Sequence, residues 1–310
     1  MKRLFATAFA IASIIAVILL SGCVTKPRQA REWAVTSEGM LKYPKCTPEY
    51  QLITLETTDN YTLYGVTFTS RGTEISGLMR MPVAPTPHGK DVPGVVLLPG
   101  ATVPKEGEQG LAKYLCSLGY ASIAIDQRNL GVVNIQGDLQ MFLNGEEPTE
   151  HKMVHDALAA AEVLRAQPGI DAERIVYAGE SNGARFAIIA CALDPEARGV
   201  IAISTCGYGI EDAIASGRLN DPEEIRFYRS IDPDTYLDKI PPRKFVMIHS
   251  LNDTVIHYEN ALRTYAKASE PKELHTVGTA THGYCKEMDA FIKTELEKML
   301  HTTCTPTIIG

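Results

Sequence analysis

The sequence predicts an α/β fold: a mostly parallel, doubly wound sheet with antiparallel strands on its N-terminal side and helices on both faces. Two observations carry this. Five short, almost uninterrupted apolar runs, "GVVLLPG", "YASIAID", "RIVYAG", "GVIAIST" and "KFVMIHS", have the character of strands buried on both faces. Segments with helical spacing lie between them, so strand and helix alternate as in βαβ units with right-handed crossovers. With 310 residues, 45% of them apolar and 22% charged, the chain is long enough for a single large domain, and no second core is evident.

The first residues are of another kind. Lys2 and Arg3 precede an uncharged run from Leu4 to Leu20, followed by small residues and Cys23. A basic start, an apolar stretch and small residues are the parts of an export signal. Leu20-Ser21-Gly22-Cys23 resembles the lipobox of bacterial lipoproteins, in which the cysteine is lipidated and becomes the first mature residue. An uncleaved N-terminal anchor is the alternative; either places the body outside the cytoplasm and tethers it to a membrane. The expected division is a signal over 1–22, a lipid-anchor linker over 23–45, a catalytic domain over 46–301 and a tail over 302–310.

Next come "YQLITLETTDNYTLYGVTFTS" and "EISGLMRMPV", whose apolar-polar alternation broken by turn residues predicts antiparallel strands with one wet face. "QGLAKYLCSLG" sets Leu111, Tyr114, Leu115 and Leu118 on one helical stripe. "HKMVHDALAAAEVLRAQ" does the same with Val154, Leu158, Ala161 and Leu164, and "NALRTYAKAS" and "EMDAFIKTELEKML" complete the helices. Six cysteines besides Cys23 permit disulfides in an exported chain. Cys116 and Cys191 sit in apolar helical patterns as buried thiols, which leaves Cys46, Cys206, Cys285 and Cys304 for any bridge. There is no CxxC pair or other zinc spacing. The net charge of −7, with no long run of one sign, gives no reason to expect nucleic acid as a partner.

In sheets of this kind functional side chains gather at the carboxyl ends of the strands. Reading those ends gives Ser181 in "GESNGA", Asp253 in "LNDTVI" and His282 in "GTATHGY". A serine hydroxyl needs a base as it attacks, His282 is the type of residue to take and return that proton, and Asp253 the type to orient the imidazole. Gly179 and Gly183 leave room for a tight strand-to-helix turn that projects Ser181. Each residue alone has an ordinary explanation: glycine and serine are common in turns, "NDT" is good helix-capping chemistry, and His282 is a loop histidine. Their conjunction in that chain order is what points to chemistry.

From about Glu49 to Met299 the chain resembles an α/β-hydrolase, in the dienelactone-hydrolase and acyl-peptidase-like branch. The resemblance rests on "SGLMRMP" before the core, "HSLNDTVI" around the acid and His-Gly at the histidine. It implies a Ser181-His282-Asp253 triad and an oxyanion hole made by the backbone N–H groups of Asn182 and Ala101. Where many members carry His-Gly in the latter loop, this chain has Pro99-Gly100. Asp126 and Arg128 stand in the family's Asp-x-Arg-Gly-like segment, as structural support. His151 and His155, at i and i+4 but without the glutamate of HExxH, are expected on a helix surface. Cys285 is expected in a helix.

The resulting expectation is an extracytoplasmic serine hydrolase cleaving carboxylic esters with short or medium acyl groups. The segment from Gly207 to Pro241 shapes the acyl pocket, and no metal, organic cofactor or obligate protein partner is implied. A peptidase or thioesterase of the same fold is the enzymatic rival. A lipoprotein that kept the fold as a binding module is the other, and a Ser181→Ala change separates it, since only an enzyme would lose turnover.

Overall fold

The computed structural model describes residues 32–83 and 91–301. The candidate signal, Cys23, Cys304 and the rest of the C-terminal tail lie outside the described residues. A short hairpin pairs β1 (Ala34–Val35) with β2 (Leu41–Lys42). The remaining strands form one nine-stranded sheet. These are β3 (Tyr50–Thr57), β4 (Tyr61–Ser70), β5 (Thr73–Pro82), β6 (Val92–Leu98), β7 (Ala121–Ile125), β8 (Ile170–Glu180), β9 (Ala197–Ile203), β10 (Lys244–Ser250) and β11 (Lys272–Val277), in the order β11-β10-β9-β8-β6-β7-β5-β4-β3. β6 to β11 run parallel, and β3, β4 and β5 add antiparallel strands beside β7. The chain order reverses where β6 lies between β7 and β8, so the crevice above that point is where a ligand is expected.

Eight α-helices are described: α1 (Gln109–Ser117), α2 (Ile135–Leu143), α3 (Thr149–Arg165), α4 (Asn182–Leu193), α5 (Ile210–Ala215), α6 (Pro222–Ile231), α7 (Tyr258–Lys267) and α8 (Asp289–His301). Alternate residues of β6 serve opposite faces, because side chains along a strand alternate. Val95 and Leu97 pack with Leu111 and Leu115 of α1 and Ile292 and Leu296 of α8. Val96 and Leu98 pack with Val154 and Leu164 of α3 and Ile188 of α4. Both faces are dry, which is why these strands read as continuous apolar runs.

Four expectations need correcting. Residues 32–45 are not a free linker: Leu41 is fully buried, its N–H donates to the Tyr236 hydroxyl at 2.9 Å, and Trp33 and Val35 pack against Phe142 and Phe227. His151 and His155 are not on a helix surface. α3 is covered around most of its girth, so His151 is wholly buried with Nε2 2.6 Å from Ser230 Oγ, and His155 Nδ1 lies 2.8 Å from Ser70 Oγ. Cys285 is extended (φ −139°, ψ 160°) and precedes the 3-10 turn Lys286–Met288. Cys116 is half-buried, while Cys191 is buried as expected; Cys46, Cys116, Cys191, Cys206 and Cys285 are all free thiols.

Candidate active site

β8 ends at Glu180 and α4 begins at Asn182, leaving Ser181 alone to make the turn. Its backbone takes φ 52° and ψ −117°, a conformation costly for any residue with a side chain. Two clamps hold it there: Ser181 N–H donates to Ile203 O at 2.9 Å, and Thr205 Oγ1 donates to Ser181 O at 2.8 Å. The flanking glycines are required by contact. A Cβ on Gly183 would stand 2.1 Å from Leu98 O, and one on Gly179 would stand 2.6 Å from the Gly183 carbonyl carbon.

Asp253 follows β10 and His282 follows β11, and the two side chains meet with His282 Nδ1 2.8 Å from Asp253 Oδ2. The other carboxylate oxygen accepts from the N–H groups of Val255 at 2.8 Å and Ile256 at 3.0 Å. Burial alone would raise the Asp253 carboxyl. The His282 bond and these two backbone donors outweigh burial and hold it below the usual carboxylate range. An ionised Asp253 only accepts, so His282 donates to it through Nδ1–H.

A residue that sequence reasoning missed joins this pair to the serine. Glu180 Oε2 accepts from Tyr284 N–H at 2.9 Å and fills the space where Gly283 has no Cβ. The loop carrying His282 is thereby docked on the residue that precedes Ser181. Burial raises both Glu180 and its neighbour Glu108 above the usual carboxyl range, Glu108 the further of the two. The type "E" at position 180 gave no hint of this, since one glutamate at a strand end is usually a solvated residue.

On the other side of the serine lies the loop after β6. Gly100 approaches closely, its Cβ position 3.5 Å from Ser181 Cβ. Thr102 N–H donates to Leu130 O at 2.7 Å, and the Gln127 amide donates to Pro99 O. Gln127, also missed, thus fixes the segment in which this chain departs from His-Gly. Ala101 N–H donates to no described residue, and Asn182 N–H, at the first position of α4, has no acceptor within its helix. Two open donors therefore flank Ser181. Asp126 accepts from Lys105 N–H and Nζ at 2.9 and 2.7 Å, while Arg128 is bidentate on buried Asp156, so both support the loops as expected. No group of three metal-donor side chains occurs among the described residues.

Fold and elbow together define the class, an α/β-hydrolase-fold serine hydrolase. The model of the prolyl oligopeptidase family (Peptidase_S9) matches residues 111–301, more than half of the chain, and the chain belongs to that family. Among solved structures it is similar to acetyl xylan esterase 1 from Thermoanaerobacterium sp. JW/SL YS485, at 17% identity and a TM-score of 0.65 over 82% of this chain and 89% of that one. It is also similar to the glucuronoyl esterase from Solibacter usitatus (14% identity, TM-score 0.59, 87% of this chain and 89% of that one). The Pyrococcus horikoshii acylaminoacyl peptidase aligns at 18% identity and a TM-score of 0.55, over 78% of this chain and 42% of that one.

Proposed function

We infer that the chain hydrolyses carboxylic esters with short or medium acyl groups through Ser181, His282 and Asp253. The observation that carries this reading is the 2.8 Å His282–Asp253 bond, on a loop that Tyr284 N–H docks onto Glu180, the residue before a serine held at an otherwise costly φ of 52°. Ser181 Oγ attacks the ester carbonyl while His282 Nε2 takes its proton. The tetrahedral oxyanion accepts from Ala101 N–H and Asn182 N–H, and collapse expels the alcohol with the proton returned by His282. Water then attacks the acyl-serine, with His282 again as base, and releases the acid. Esters are preferred over amides because an alcohol leaves more easily than an amine.

The lipobox-like Leu20–Cys23 supports an extracytoplasmic, lipid-tethered setting for this activity. A fluorophosphonate reports an activated serine directly. The full chain labels covalently and Ser181→Ala does not, with ester turnover falling by a factor of about 10⁴ or more. A folded wild-type chain that takes no label would overturn the reading and favour a binding module.

A further inference from the structure

Arg185 lies four residues beyond Ser181, in the first turn of α4. Its N–H donates to Ser181 O at 3.4 Å and its guanidinium to the side chain of Asn182, so it is tied to the turn that carries the serine. A cation is misplaced there, because the N-terminal end of a helix is already positive. It is only half-buried, and no carboxylate pairs with it among the described residues. Neutral groups hold it instead: Nε donates to Cys206 O at 2.9 Å, Nη1 to Asn182 Oδ1 at 2.6 Å, and the guanidinium carbon lies 4.3 Å from the Tyr208 ring centroid. Nη2 lies 4.0 Å from the Cys206 sulfur, and the Tyr208 hydroxyl, which donates to Glu150 Oε2 at 3.3 Å, also bonds the guanidinium. A guanidinium carries five N–H donors, so part of this fork is unspent.

The same segment, Cys206 to Tyr208, walls a neighbouring cavity of about 280 Å³ that is also lined by Arg218, Arg263 and Lys267. Arg218 donates to Ser216 and Arg263 to Asn260, and neither pairs with a carboxylate among the described residues. Two carboxylates share the cavity, Asp234, engaged by Lys267 at 2.6 Å, and Asp212. In a chain of net charge −7, this cavity brings three cations against two carboxylates on the segment that also holds Arg185.

We propose that Arg185 binds a carboxylate carried by the substrate, so that this site selects anionic esters. The inference rests on the esterase reading above and adds a substrate class to it. The planar fork suits a carboxylate, and the helix end that makes Arg185 costly in the free protein favours an anion once it arrives. Arg218 and Arg263 add attraction at longer range.

The test uses the full chain and two matched pairs of esters, each differing by one carboxylate. On the leaving-group side the pair is para-acetoxybenzoate against its methyl ester. On the acyl side it is the mono-para-nitrophenyl ester of adipate against para-nitrophenyl hexanoate. For at least one pair the wild type favours the anionic ester in kcat/KM by roughly tenfold or more, mostly through KM, as a charge-assisted bond predicts. Arg185→Met collapses that ratio towards one and Arg185→Lys restores part of it. A purely structural Arg185 would lower both members of a pair together. Arg218→Gln with Arg263→Gln weakens the salt dependence of the preference, which keeps the idea testable if Arg185→Met does not fold. Turnover of neutral esters without preference for either anionic one, or a ratio unchanged in Arg185→Met, overturns the inference and leaves the esterase reading standing. Turnover of none of the four overturns both.

Discussion

At Ser181 the backbone is held in a conformation that costs stability. The side chain gains nothing for the fold by standing at φ 52°; it is held there by the Ile203 carbonyl and the Thr205 hydroxyl. Ser181→Gly relieves the Cβ strain, and its unfolding free energy is expected to rise by about 1 kcal/mol while ester turnover disappears. Chemical denaturation of the two proteins side by side checks this, and a Ser181→Gly protein less stable than wild type would show that the backbone is unstrained. Asp253 works in the opposite sense. It is a buried charge satisfied by three donors, so its ionised form belongs to the native state. Its depressed carboxyl contributes stability above the ordinary carboxyl range that is lost as pH falls through the native value.

At the scale of elements, the β8–Ser181–α4 unit is a crossing too close for side chains. Gly183→Ala would push a methyl group into the Leu98 and Pro99 carbonyls. Overpacking of that kind costs roughly 1–3 kcal/mol, and because backbone rather than a flexible side chain must yield, the turn itself shifts. The expected result is a lowered melting temperature together with loss of fluorophosphonate labelling; normal labelling would mean that the elbow tolerates the methyl. The elbow was legible in the sequence because only small residues fit it, and the strands because burial on both faces makes them uniformly apolar. The meeting of Asp253 with His282 was legible from their place just past strands. Glu180, Gln127 and the burial of His151 and His155 were not. Each depends on which distant backbone arrives opposite: Tyr284 N–H, Pro99 O, and the β1–β2 hairpin with α6 closing over α3. Neither periodicity nor spacing encodes a partner of that sort. Residues 32–45 were misread for a related reason: few large apolar residues are enough when one of them, Leu41, goes fully inside.

Across the whole molecule, several ionisable groups are buried in neutral form, and together they set its response to pH. Burial alone pushes His151 down to about 3, and burial first, with Arg71 and Arg128 adding to it, pushes His155 down to about 4. Both imidazoles charge more readily in the unfolded chain, so their effect is to lower stability as pH falls below about 6.5 towards those values. Glu150 works the other way. Burial, then Asp138, raises it to about 8, so its contribution is lost as pH climbs from the ordinary carboxyl range towards about 8. Glu150→Gln removes that loss. Between pH of about 6 and about 8 the variant should gain about 2 kcal/mol relative to wild type, measured by urea unfolding at each pH. Equal stability differences at the two values would mean that Glu150 is ionised in the native protein.

The free thiols described above bear on the redox life of the protein. Burial holds Cys46 up at about 11 and Cys191 at about 12, so neither presents a thiolate to oxidants at neutral pH. Cys116, Cys206 and Cys285 are raised in the same direction. Among the described residues the fold asks for no disulfide to be made, shuffled or kept.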